Sequence, residues 1–109
     1  MRPSEADIAT LKAKHAGALH LLEYDDGRSA VVAKQPPEAE WRRLVEAASS
    51  DKGQNRGRAL ATFARSCLVW PDGDGVDVIL AERPALLERW GDALSDLAGA
   101  SEKIVAKKL

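Results

Sequence analysis

The residues with the greatest chemical potential in this chain gather in one stretch, CLVWPDGDG, from Cys67 to Gly75. It holds the single cysteine, one of three tryptophans, and two aspartates at alternate positions. Alternating acids are the opening of a calcium loop, which wants oxygen ligands at loop positions 1, 3 and 5, glycine at 6 and glutamate at 12. Asp72 and Asp74 meet the first two requirements, but Val76 falls at position 5, Asp77 at 6 and Arg83 at 12. A cation in place of the bidentate carboxylate defeats the pattern. The stretch reads instead as a tight polar turn in which Asp74 caps the following helix.

Cys67 as a nucleophile would need a base and an electropositive, accessible setting. The two histidines, His15 and His20, lie in no recognisable partner motif, and Cys67 shares a helical stripe with Leu60 and Phe63. It reads as a small buried hydrophobe. One cysteine and two scattered histidines are too few for a zinc site, which takes about four ligands. DKGQNRGR lacks the Lys-Ser or Lys-Thr ending of a phosphate-binding loop. Its basic residues Lys52, Arg56 and Arg58 offer contacts to an anionic partner, but a solvated loop is the better reading. No catalytic residue, metal or cofactor is expected, and the chain is read as a non-enzyme.

The elements that would carry these residues follow from periodicity. A chain of 109 residues makes one small domain with one modest core. Hydrophobic residues at 45%, charged residues at 30% and a formal net charge of −1 give no pull toward nucleic acid or anionic lipid. MRPSEADIATLKAK carries charge throughout and does not read as a signal peptide; no run is long enough to span a bilayer. One cysteine fits a reducing cytoplasm.

SEADIATLKAKHAG predicts a helix with Ser4 as N-cap, Asp7 bonding back to it, and Gly17 placed to end it. Leu19–Tyr24 and Ala30–Ala33 predict a hairpin around a two-residue Asp26-Gly27 turn. Pro36-Pro37 opens a helix with the stripe Trp41, Leu44, Val45 and Ala48. SSDKGQNRG reads as loop, and a helix runs from Gln54 or Arg58 to Cys67, with Trp70 at a helix-to-loop joint. VDVILAER predicts a short helix, with a strand as the alternative, stopping before Pro84. Pro84 opens the last helix and Gly99 closes it, with Gly91 inside, which suggests either close backbone packing or tolerance. The expectation is an α+β domain over residues 1–100, mostly helical with four to five helices and one small antiparallel β-hairpin. Residues 101–109 form a tail, flexible or a frayed helix.

Binding residues are then sought among exposed apolar groups. Trp41 and Trp90 lie on core stripes, whereas Trp70 beside Pro71 reads as either a core plug or an anchor for a partner. IVAKKL at the end, with Ile104, Val105, Lys107, Lys108 and Leu109, is the second candidate for docking on another protein or another copy.

The order of segments resembles the tail assembly chaperones of long-tailed bacteriophages and prophages. LKAKHAG leads into a hairpin, SAVVAKQPPEAEW leaves its second strand through Lys-Gln-Pro, SCLVWPDGDG carries a Cys-x-x-x-Pro joint, and VDVILAERPALLERWGDALSDLAG places Arg-Pro before the last helix. The similarity covers about residues 8–99. It implies a non-enzymatic protein of the bacterial cytoplasm that binds the long, helical, aggregation-prone tape-measure protein and leaves as tail tube subunits polymerise. In that family some members are extended by a programmed frameshift. Tape-measure and tube proteins are the partners implied, with no nucleic acid or membrane, and a homo-oligomer stays open. A general adaptor or regulatory binding module is the alternative.

Overall fold

Among the described residues the chain forms three antiparallel strands and five helices. The computed structural model describes residues 1–49 and 56–109. The order is α1 (Glu5–Lys14), β1 (Leu19–Tyr24), β2 (Ser29–Lys34), α2 (Glu38–Ala48), α3 (Arg56–Cys67), β3 (Leu68–Trp70), α4 (Gly73–Glu82) and α5 (Leu86–Leu97). The expected α+β class holds, with a three-stranded sheet in place of a lone hairpin. Most of the loop expected in SSDKGQNRG, and the helix start at Gln54, lie outside the described residues.

Local chemistry sets the boundaries. Ser4 and Asp7 close a reciprocal capping box on α1: the Asp7 N–H donates to Ser4 Oγ at 3.0 Å, and the Ser4 N–H to Asp7 Oδ2 at 2.9 Å. α1 ends at Lys14 without help from Gly17. His15 turns extended (φ −118°, ψ 123°) while its N–H still reaches Leu11 O, and among the described residues the positive-φ glycines are Gly27 and Gly99. At the other end Gly99, at φ +96°, accepts the left-handed conformation that closes α5. Its N–H bonds Asp96 O and the Ala100 N–H bonds Ser95 O, both at 3.0 Å, which satisfies two otherwise orphaned carbonyls.

The hairpin turn is longer than the Asp26-Gly27 pair suggests. Tyr24 pairs with Ser29, so four residues connect the strands. Asp25, Asp26 and Gly27 all have positive φ (55°, 53° and 80°), a conformation that Asp tolerates better than most side chains. The Arg28 N–H to Asp25 O bond at 3.0 Å and the Arg28–Asp25 ion pair hold the loop.

β2 lies between β1 and β3, and residues 29–33 are all buried. Alternation divides it. Val31 and Ala33 join the main core with Leu44, Leu60, Phe63, Ala64, Cys67, Val76, Trp90 and Leu94, which come from α2, α3, α4 and α5. Ala30 and Val32 face the other way. They are buried outside that cluster, as is Leu11 of α1. The N-terminal segment reaches this side: Met1 O accepts the Ala30 N–H at 2.9 Å, and Arg2 pairs with Glu23 at 2.8 Å.

α3 and α5 meet at backbone distance. A Cβ built on Gly91 would stand 2.7 Å from Leu60 O and 3.1 Å from Leu60 Cβ. Close packing is therefore what Gly91 is for. Edge-on ring contacts between Tyr24 and Trp90 (5.9 Å) and between Trp41 and Phe63 (6.0 Å) tie the sheet to α5 and α2 to α3.

α4 starts two residues earlier than a cap at Asp74 would have it. Asp72, extended at φ −66° and ψ 176°, is the N-cap, and its Oδ1 accepts the Gly75 N–H at 2.8 Å. The chain leaves β3 extended through Pro71, so Asp72 is the first acid placed to cap, and Asp74 falls inside the first turn. The two glycines belong to that turn too. A Cβ on Gly75 would lie 2.7 Å from Pro71 Cβ, so the proline packs where a side chain would go. Pro84 does not begin α5; the helix starts at Leu86, after a turn in which the Leu86 N–H bonds Arg83 O at 3.2 Å.

Candidate partner-binding surfaces

The groups that first suggested chemistry are dispersed or committed to structure. Cys67 is fully buried at the end of α3, and burial pushes its thiol up from the ordinary value of 9.0, opposed by the Ser66 hydroxyl 3.8 Å away. A protonated, inaccessible thiol is a poor nucleophile. His20 Nε2 lies 2.7 Å from Gln35 Oε1, and Gln35 Nε2 donates to Leu97 O at 2.9 Å, so this histidine helps fasten β1 to the end of α5. His15 is the C-cap of α1. Among the described residues no group of three His, Cys, Asp or Glu side chains could hold a metal ion. Asp72 serves as a cap, as above.

Trp70 is placed in a strand, not at a helix-to-loop joint. α3 passes directly into β3, where Trp70 pairs with Val32 across an irregular register, and a cis peptide bond follows to Pro71. Cross-strand partners share a sheet face. Trp70 therefore lies with Val32 and Leu21 on the side away from α3 and α5. It is half-buried there and is not among the side chains packed on the main core. Leu21, 40% exposed, sits opposite Val32 on the other neighbouring strand.

The tail carries neither helix nor strand, contrary to the frayed-helix option. Ile104 is 82% and Val105 64% exposed, and Leu109, Lys107 and Lys108 are open as well. It departs from Ala100, which lies beside the helical layer.

Two grooves that periodicity did not reveal lie in the helical layer. The larger, about 550 Å³, runs between α2 and α3. Its floor is Leu44, Ala59 and Phe63, all buried, with Ala47, Thr62 and Ser66 along the sides and Glu40, Arg43 and Arg58 on the rim. Glu40 and Arg43 pair at 2.8 Å, whereas Arg58 has no ion-pair partner among the described residues. The smaller groove, about 290 Å³, lies where α2, α3 and α5 meet and is lined by Trp41, Val45, Ala48, Leu60 and Ser95, with Arg56 and Ala100 at its ends. Small residues on facing helix flanks leave these spaces. The run of Ala47, Ala48, Ala59, Thr62 and Ser66 was the available signal, but each stripe read alone looks like ordinary core.

No protein-family model matches the chain, and no curated protein does. Its fold is similar to a solved structure of an uncharacterised protein from Bacillus stearothermophilus, with a TM-score of 0.74 and 18% identity, over 92% of this chain and 99% of that one. At that identity the likeness establishes the architecture alone. Among the described residues no helix is long and apolar enough to cross a membrane.

Proposed function

We propose that this chain is a tail assembly chaperone of a long-tailed phage or prophage, working in the bacterial cytoplasm. It would hold apolar helical segments of the tape-measure protein until tail tube subunits replace it. The observation that carries the reading is the α2–α3 groove: open, floored by Leu44, Ala59 and Phe63, and edged by cations. An amphipathic helix docks by laying its apolar residues, spaced three and four apart, along such a floor. Arg58, with no ion-pair partner among the described residues, favours a segment that carries a carboxylate beside its apolar stripe. The buried, protonated Cys67 and the dispersed histidines support binding in preference to catalysis. The segment order from LKAKHAG to DALSDLAG is the link to this family.

Trp70 and the tail residues Ile104, Val105, Lys107, Lys108 and Leu109 stay as secondary contact candidates. The test is co-expression with the long reading frame adjacent to its gene. A chaperone keeps that product soluble and copurifies with it. Copurification with an unrelated protein, while the tape-measure protein aggregates regardless, would favour the adaptor reading.

A further inference from the structure

An exposed tail and an open groove lie next to each other among the described residues. From Lys103 to Leu109 the chain makes no hydrogen bond or ion pair. It nevertheless carries four apolar residues and three cations in seven positions, KIVAKKL. The Cα radius of gyration is 15.3 Å, against about 13 Å for a compact domain of this length, in keeping with a tail that stands off the body. Where the tail begins, at Ala100, lies the smaller groove, whose walls include Val45, 44% exposed, together with Ala48 and Leu60.

Charge makes the match specific. Glu88, Asp92 and Asp96 recur every four residues along α5. Helical geometry puts Glu88 and Asp92 on the flank of Ser95, which lines the groove. Glu88 is placed there independently, since its carboxylate stands 3.0 Å from a Cβ built on Gly57 of α3. None of these three acids has an ion-pair partner among the described residues, and neither do Lys103, Lys107 and Lys108. Glu88 to Asp96 spans about 12 Å of helix. Lys103 to Lys107 spans about 13 Å of extended chain. An extended tail therefore brings cations to the acidic flank while Ile104, Val105 or Leu109 enters the apolar groove.

We infer that the groove between α2, α3 and α5 receives the C-terminal tail of a second copy of this chain. The tail stands exposed in the single chain instead of folding back over α5, and a two-fold exchange gives both tails and both grooves a partner at once. This inference does not rest on the chaperone reading.

The experiment is mass measurement by light scattering on the full chain, on a form ending at Ser101, and on Val45→Asp, all at ~100 μM. The full chain runs as a dimer, and both variants run as folded monomers, with helical content unchanged by circular dichroism. Lys107→Glu combined with Lys108→Glu weakens the dimer at least tenfold, and adding Asp92→Lys with Glu88→Lys restores it. A monomeric full chain overturns the inference, as does a dimer that survives removal of the tail. A monomer whose tail amides are protected from hydrogen exchange also overturns it, because the chain's own tail then fills the groove.

Discussion

Replacing Gly91 with alanine isolates the contact that fixes how α5 sits on α3. Alanine is worth about 1 kcal/mol over glycine inside a helix, so propensity alone predicts a more stable protein. The structure predicts the opposite. The new methyl would stand 2.7 Å from Leu60 O, whereas ordinary contact begins near 3.4 Å, so the helices must separate by about 0.7 Å. Leu60 O is backbone in the middle of α3 and cannot swing aside as a side chain could. Such overpacking costs typically about 1–3 kcal/mol. With a rigid obstacle the upper end applies, and subtracting the propensity gain leaves a net loss of about 2 kcal/mol. For a domain of this size that lowers Tm by roughly 8–15 °C. Thermal and urea unfolding followed by circular dichroism measure it. Gly73→Ala is the control, since no atom lies within 4 Å of its built Cβ and its φ is not positive; it should be neutral or slightly stabilising. A Gly91→Ala protein as stable as the parent, or more so, would refute the claim that these backbones touch.

Three further outcomes follow from the same structure. Asp72→Ala should cost about 1 kcal/mol through loss of the cap on α4, and Asp74→Ala clearly less; urea midpoints compare them. The Cys67 thiol should resist an aromatic disulfide reagent in the native protein and react promptly once urea unfolds it, because it is fully buried. Its folded pKa is raised by burial, so the native state binds that proton more tightly than the unfolded chain. The associated stability is full below the unfolded value of 9.0 and is lost as pH rises through the folded value, a decline that Cys67→Ala should remove from a stability-versus-pH profile.

Elements with a local chemical signature could be read from the residues. Ser4 and Asp7 announced α1, Gly99 announced the end of α5, and Leu60, Phe63, Ala64 and Cys67 announced the buried side of α3. Elements defined by distant partners could not. β3 has three residues following a twelve-residue helix, too few to show alternation. The clue lay elsewhere, in AVVA of β2: four consecutive apolar residues mark a strand buried on both faces, which needs a neighbour on each edge. The shift of the cap from Asp74 to Asp72 had a similar cause, because both acids cap well and the direction in which β3 delivers the chain decides between them. Trp70 could be named as an unusual side chain but not assigned a face until its pairing with Val32 was known. The grooves were least legible, since they exist only between helices, where small residues of α2 and α3 oppose each other.

The proposed function requires the α2–α3 groove to take an apolar helical segment of a partner. Thr62 is exposed on its wall, so Thr62→Arg fills the groove without disturbing the core. The decisive measurement is the affinity of the wild-type and Thr62→Arg proteins for the purified tape-measure protein, with native circular dichroism confirmed for both. The variant should lose at least tenfold in affinity, equivalent to about 1.4 kcal/mol, and no longer keep the partner soluble. Equal affinity for the two proteins, or no binding by either, would contradict it.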